Sequence, residues 1–211
     1  MTAPSMLHRV EDSRPYRWLK YRLNAKLVDF FDRHVLGGRR GLRVAEMACG
    51  SGYGAHLLAG HPAVVRSVAV DRDAALHDQA AVPGFAAEFV AADLLDLPFP
   101  PEQFDFVWNS SSVEHFPDPA AAIGAMADAT KPGGFVFVGV PYAWGLLAVY
   151  FIVPSRTHRE WLGRPFTFNR LENLFRACGL EPERRLIYFF GSFAGVLGRK
   201  VKSRAARSPT S

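Results

Sequence analysis

Apolar residues recur along this chain in two rhythms. Between residues 15 and 38, Leu19, Leu23, Leu27, Phe30 or Phe31 and Val35 follow one another at three- and four-residue steps, which sets them on one face of a helix ended by Gly37 and Gly38. The pattern then changes to short apolar runs at 42–47, 65–70, 88–91, 104–108 and 135–140. Runs this short, set off by Gly, Pro and acids, read as buried strands. Helical stretches lie between them: 53–59, closed by Gly60 and Pro62, and 120–129, introduced by Asp118 as N-cap and Pro119 at the first helical position. A later helix carrying Leu171, Leu174, Phe175 and Cys178 stops at Gly179, and 184–190 and 193–197 read as two last strands, the first of them buried. Strand and helix in alternation predict an α/β fold, a Rossmann-like three-layer αβα sandwich around a mostly parallel sheet, with the site at the carboxyl ends of the strands.

The turn after the first strand carries the densest chemistry. Gly50 and Gly52 lack a Cβ, so main-chain amides there can approach a ligand while the next helix points its positive end at the same place. Gly50-Ser-Gly52-Tyr-Gly-Ala55 satisfies the dinucleotide pattern G-x-G-x-x-G/A. Glu46 argues against that ligand, because a carboxylate at the strand end repels a pyrophosphate and suits an ammonium or sulfonium group. Asp71 ends the second strand 19 residues beyond Gly52, near the offset that sets an acid on a ribose. Asp73, before Ala74 and Ala75, reads instead as a helix N-cap.

Glu46-x-Ala48-x-Gly50-x-Gly52 resembles the acid-x-Gly-x-Gly-x-Gly signature of class I S-adenosylmethionine-dependent methyltransferases, with Ala48 in place of the first glycine. The likeness extends over residues 42–180 and is nearest to small-molecule enzymes of the ubiquinone and menaquinone methylation type. It implies S-adenosyl-L-methionine as cofactor, with Glu46, Ala48, Cys49, Gly50 and Gly52 around its methionine end, where a side chain at Gly52 would intrude. Asp71 would hold the ribose and Arg72 border the adenine. Asp93 would accept from the adenine amine, with Leu94 against the ring; as bare sequence, Asp93 also suits a turn cap. Asn109 and Ser110, at the exit of the fourth strand, would lie beneath the methionine moiety. The resemblance further implies a turn at 131–134 into the fifth strand and a seven-stranded sheet ending in an antiparallel hairpin. It sets helix 15–38 beside the cofactor mouth, where Tyr16, Trp18 or Tyr21 would pack or cover the ligand.

From 141 to 167 the pattern becomes irregular: Tyr142, Trp144, Tyr150 and Trp161 are interleaved with Arg156, His158, Arg159 and Arg164. This is expected to be a lid that shapes a pocket for an aromatic or lipophilic small-molecule acceptor. Methylation of a hydroxyl is the expected reaction, with N- or C-methylation as alternatives. His158, kept neutral by flanking cations, and His115 are the candidate bases. A nicotinamide-dependent oxidoreductase, disfavoured by Glu46, and a non-catalytic cofactor-binding partner are the competing classes.

The 211 residues, 49% of them hydrophobic, suffice for one domain, drawn here as residues 1–198 with a basic disordered tail at 199–211. That tail supplies five of the 25 Lys and Arg, leaving the rest balanced against 20 acids, so the net charge of +5 does not point to nucleic acid. Neither the Pro-Pro-aromatic motif of base-amino methylation nor a Pro-Cys nucleophile is present. Cys49 and Cys178 stand in no metal or disulfide spacing, which fits a reducing cytoplasm. The longest uncharged apolar run, 143–153, falls short of the roughly 20 residues of a transmembrane helix and leaves peripheral membrane contact open. Oligomeric state is not encoded.

Overall fold

A computed structural model describes residues 14–75, 78, 82–146 and 163–201, with the backbone alone given for 14–21. Helix α1 (Arg14–Phe31) passes into a π-helical turn, Asp32–Leu36, ended where the Gly37 amide donates to the Asp32 carbonyl at 2.7 Å. There follow β1 (Leu42–Met47), α2 (Tyr53–Ala59), β2 (Val64–Asp71), β3 (Glu88–Ala91), β4 (Phe104–Ser110), a 3₁₀ turn (Val113–His115), α3 (Pro119–Ala129) and β5 (Thr130–Pro141). Helix α4 (Phe168–Ala177), β6 (Leu180–Tyr188) and β7 (Phe193–Lys200) complete the described chain. The seven strands form one sheet in the order β3-β2-β1-β4-β5-β7-β6, parallel except for β7, which runs antiparallel to both β5 and β6. Chain order reverses between β1 and β4, and a ligand crevice in such sheets lies at that reversal.

Both faces of the sheet are buried, which explains why its central strands are apolar runs and not alternating ones. On one face Leu27, Phe30 and Phe31 of α1 pack with Leu58 of α2 against Val44, Phe106, Trp108 and Phe137. Phe31 sits edge-on to Phe106, Trp108 and Phe137 at centroid separations of 4.8, 5.2 and 5.0 Å, the geometry favoured by ring quadrupoles. On the other face Ala122, Ile123 and Met126 of α3 and Leu171 and Phe175 of α4 cover Val107, Val136 and Val138. Within β5, Val136, Val138 and Val140 go to this face, whereas Phe135 and Phe137 go to the first.

Several expected boundaries move. Asn109 and Ser110 belong to β4 itself, and the chain turns only at Ser111, whose φ is 65°. Residues 131–134 lie within β5 but bulge from it, since pairing jumps from Phe104–Thr130 to Phe106–Phe135. The expected strand 184–190 ends at Tyr188. Phe189 and Phe190 turn in the left-handed region, and Ile187 and Phe190 are 50% and 76% exposed, because β6 is the sheet's edge and not a buried strand.

The expected tail also begins too early. Arg199 and Lys200 belong to β7, where the Arg199 guanidinium pairs with Glu183 at 2.5 Å and the Lys200 ammonium donates to the Thr130 carbonyl at 2.9 Å. The side chains of Tyr16, Trp18, Leu19 and Tyr21 fall outside the described residues, as do 147–162, which hold most of the expected lid, and the chain beyond Val201.

Candidate functional site

The β1–α2 loop is a run of left-handed residues: Ala48 at φ 49°, Gly50 at 55° and Gly52 at 67°. At Gly50 a Cβ would meet nothing within 4 Å, so this main chain borders open space at the carboxyl ends of β1 and β2. Gly52 is glycine for another reason. A Cβ there would lie 3.0 Å from Cζ of Phe85 and 3.1 Å from Cβ of Ala69, so the protein's own packing leaves little room for a side chain. Ala48, where the resembled signature has glycine, keeps the glycine-like conformation at a cost of about 1–2 kcal/mol for an L-residue.

Polar side chains hold this loop from beneath. Glu46 is buried, and its Oε2 accepts from the Ala55 amide at 2.6 Å, so the carboxylate caps the first turn of α2. The Ala55 amide at this positive helix end is thereby engaged. Asp71 is also buried; Oδ2 accepts from the Gly50 amide at 2.7 Å and Oδ1 from the Asp73 amide at 2.9 Å. Each carboxylate oxygen keeps a further lone pair, so Asp71 can fix the loop and still receive hydroxyl donors beside Gly50. Asp73 takes the Ala75 amide at 3.0 Å, the capping role expected of it.

Asn109 is fully buried and spans the gap between strands, donating to the Met47 carbonyl at 2.6 Å and accepting from the Val113 amide at 3.3 Å. Ser112 adds a bond to the Ala48 carbonyl at 3.1 Å. The β4 exit therefore supports the glycine loop mechanically, with the amide of Asn109 spent on the backbone.

Farther along the same edge, Asp93 is exposed and caps a turn through the Leu95 amide at 2.9 Å, while Leu94 is buried against the core. Arg72 is exposed. Cys49 is no nucleophile: burial, with Glu46 and Asp71 nearby, pushes its thiol far up, and it stays protonated.

The carboxyl ends of β4 and β5 hold a polar cluster that sequence reasoning missed. Tyr188 of β6 is 1% exposed and reaches across the sheet to Ser110, their hydroxyl oxygens 2.8 Å apart. Its path is cut by glycines. A Cβ at Gly139 would fall 1.9 Å from the Tyr188 hydroxyl, and one at Gly195 would lie 3.5 Å from its ring. Burial holds the phenol well above its ordinary value, so it stays a neutral donor and acceptor.

Glu114, in the 3₁₀ turn, is 2% exposed, its Oε2 has no hydrogen-bond partner, and burial raises its pKa to about 8. No local signal could have singled it out, since its cover includes Gly163, 49 positions later. His115 is exposed on one side, and desolvation of the rest lowers its pKa, so its imidazole is neutral near physiological pH. His158, with Arg156, Arg159 and Trp161, lies outside the described residues.

Gly50, Asp71 and Asp93 thus lie in series along the carboxyl ends of β1, β2 and β3, an open main-chain cradle followed by two acids. That donor and acceptor order suits a ligand with an amino-acid end, a ribose and a base.

Comparison with known proteins agrees. Residues 45–138 match a family model described as a methyltransferase domain. A ubiquinone biosynthesis O-methyltransferase of Ruegeria pomeroyi is 32% identical over 188 residues, covering 80% of this chain and 72% of that protein. One of the same name from Cereibacter sphaeroides is 29% identical over 162 residues, covering 69% and 63%. The chain spans 61–64% of the length of the first three such relatives. Among solved structures, a possible histamine N-methyltransferase of Thermotoga maritima superposes with TM-score 0.62 at 18% identity over 91% of this chain and 98% of that one, which shows a shared fold. With its loop, sheet order and relatives in agreement, this chain belongs to the S-adenosylmethionine-dependent methyltransferase family, whose cofactor is S-adenosyl-L-methionine.

Proposed function

We propose that the protein transfers a methyl group from S-adenosylmethionine to a hydroxyl of an aromatic or lipophilic small molecule, in a reducing cytoplasm. The observation that carries the cofactor half is the open cradle at Gly50, adjoined by Asp71 with spare acceptor capacity. The bound cofactor supplies an electrophilic methyl on a sulfonium. Gly50 offers main chain to the methionine end, Asp71 accepts from the ribose and Asp93 accepts from the adenine amine, whereas Leu94 is spent on the core and not on the ring. Asn109, Ser112 and Glu46 act through the loop by fixing its carbonyls and amides.

The acceptor half is supported by the aromatic and apolar side chains at this end of the sheet: Trp144, Leu146 and Phe190 are 79%, 69% and 76% exposed. The Ruegeria and Cereibacter relatives, named for O-methylation in ubiquinone biosynthesis, favour hydroxyl over amine. What remains for the protein is to hold that hydroxyl in line with the methyl group and to receive its proton. His115 is neutral and available near pH 7, and His158 is the second candidate from sequence.

The test is release of S-adenosylhomocysteine from protein supplied with S-adenosylmethionine and a panel of phenols, catechols and matched anilines. Turnover with catechols and not with anilines is expected. Turnover confined to anilines would replace O- with N-methylation.

A further inference from the structure

Seven large apolar side chains stand exposed among the described residues, and four of them share one corner: Trp144, Leu146, Ile187 and Phe190. The backbone gathers them. The Tyr142 amide donates to the Ser192 carbonyl at 2.8 Å, and a Cβ at Gly145 would fall 2.3 Å from the Gly191 carbonyl oxygen, so the chain leaving β5 lies directly against the turn from β6 to β7. Trp144 and Leu146 flank Gly145 on one side of this contact, and Ile187 and Phe190 precede Gly191 on the other. The corner lies at the carboxyl end of β5, the same end of the sheet as the glycine loop.

Phe189 and Phe190 hold left-handed backbone, at φ 51° and 53°, a conformation that turns usually give to Gly or Asn. Phenylalanine at 190 costs strain and apolar exposure together, which the fold itself does not require. The four side chains leave roughly 500 Å² of surface open in one place, at the upper end of what a monomer carries. A stable contact with another protein takes about 800 Å² from each partner, more than these loop tips offer. The interfacial layer of a bilayer accepts protruding tips without a matching surface, and tryptophan is enriched there.

The surroundings are cationic. Arg164 and Arg170 are exposed on either side of Phe166, which pairs with Tyr142, and Arg184 is exposed on β6. The guanidinium groups of Arg164 and Arg184 donate to the main-chain carbonyls of Pro117 and Glu183, which leaves their charges unneutralised. The acids of neighbouring elements are matched or covered: Glu172 is bound by Arg185 at 2.6 Å, and Glu114 is buried. In sequence, Trp144 and Leu146 belong to the uncharged run 143–153, and residues 154–170 then carry four arginines against one acid, Glu160. Apolar tips beside unneutralised cations complement an anionic lipid surface.

We propose that this corner docks the protein on an anionic membrane surface, with Trp144, Leu146, Ile187 and Phe190 entering the interfacial layer and Arg164, Arg170 and Arg184 near lipid phosphates. Docking of this kind turns the carboxyl end of the sheet toward lipid, the medium that holds lipophilic small molecules. The binding itself needs neither cofactor nor methyl transfer.

Sedimentation of the full chain with vesicles of equal phosphatidylglycerol and phosphatidylcholine is the test. Wild type is expected to pellet with them and to bind phosphatidylcholine alone at least about tenfold more weakly. Trp144→Ser combined with Phe190→Asn, which places a residue suited to the left-handed turn, should lower partition at least about tenfold; Val65→Ser combined with Leu95→Ser, exposed elsewhere, should leave it within about twofold. Quenching of tryptophan fluorescence by lipids brominated in the acyl chain should weaken in Trp144→Phe, a change that leaves the fold undisturbed.

Wild type that stays in the supernatant with both vesicles overturns the inference, as does binding lost equally in the two double variants. Quenching that Trp144→Phe leaves intact overturns the placement of the indole, and equal binding to both lipids overturns the anionic recognition. A two-chain mass in light scattering that falls to one chain in Trp144→Ser with Phe190→Asn, without vesicle binding, gives the corner to a second copy instead. Failure to methylate any hydroxyl bears on the proposed function alone, because sedimentation involves no acceptor.

Discussion

The burial of Glu114 has a consequence for stability that needs neither cofactor nor acceptor. Its carboxyl is raised from 4.5 to about 8 by desolvation, so between those values the folded protein holds a proton that the unfolded chain has released. Stability from this group is therefore complete below about pH 4.5 and is lost as pH rises through 8. At 1.36 kcal/mol per unit, a shift of about 3.5 units corresponds to a ceiling of about 5 kcal/mol, of which about 4 falls between pH 5 and 9. The group is almost wholly buried, so solvent screening does not reduce the figure, and domains of this kind hold only about 5–15 kcal/mol in all.

Urea unfolding of wild type and Glu114→Gln at about pH 5 and pH 9 isolates the effect. His34 and His115 are lowered by desolvation, and Glu172 by its hydrogen bond to Arg185, so each also bends the profile below neutrality. They bend it equally in both proteins and cancel in the difference. Wild type should lose about 4 kcal/mol relative to the variant over this range. A difference that stays constant within about 1 kcal/mol would show that Glu114 is not held protonated and would refute the reasoning.

Three other substitutions test the site and its supports. Ala48→Gly removes the left-handed strain and should raise stability by up to about 1 kcal/mol in thermal melts; an unchanged or lower melting temperature means the loop is unstrained. Asp71→Ala should weaken S-adenosylhomocysteine by about 1.5–3 kcal/mol in calorimetry, with Asp71→Asn losing less, and unchanged affinity would place the ribose elsewhere. Gly54→Ala would bring a Cβ to 2.3 Å from Cη2 of Trp108, so overpacking should cost about 1–3 kcal/mol in urea unfolding; wild-type stability would mean that the indole moves freely.

The fold was legible because its signals are local. Limits for β1 and α2 coincide with the observed Leu42–Met47 and Tyr53–Ala59, since apolar runs end there at glycines and acids. Asp118 caps α3 as expected, its Oδ1 taking the Ala120 amide at 2.9 Å. What failed depended on pairing across the chain. Nothing within 184–190 says that β7 will lie between β5 and β6, and that order alone makes β6 an edge and exposes Ile187. Arg199 looked like tail because its partners, Glu183 and the Gly133 carbonyl, are brought to it only by the sheet.

The site divides along the same line, and its three buried acids show how. Glu46, Asp71 and Glu114 are all under one-tenth exposed. The first two were visible in sequence because each closes a strand beside the glycine turn, and a strand end needs an acceptor for the amides of the loop that follows. They have one: Ala55 for Glu46, and Gly50 and Asp73 for Asp71. A carboxylate spent in this way fixes the loop that follows its strand. Glu114 lacks such donors on Oε2, and its burial is imposed by Gly163 and the chain returning after β5, an arrangement no local pattern announces. An acid left without a partner on one oxygen and raised by burial to about 8 holds its proton at neutral pH. The acids that hold the glycine turn were therefore readable from sequence, and the buried acid after β4 became visible only once distant segments were folded over it.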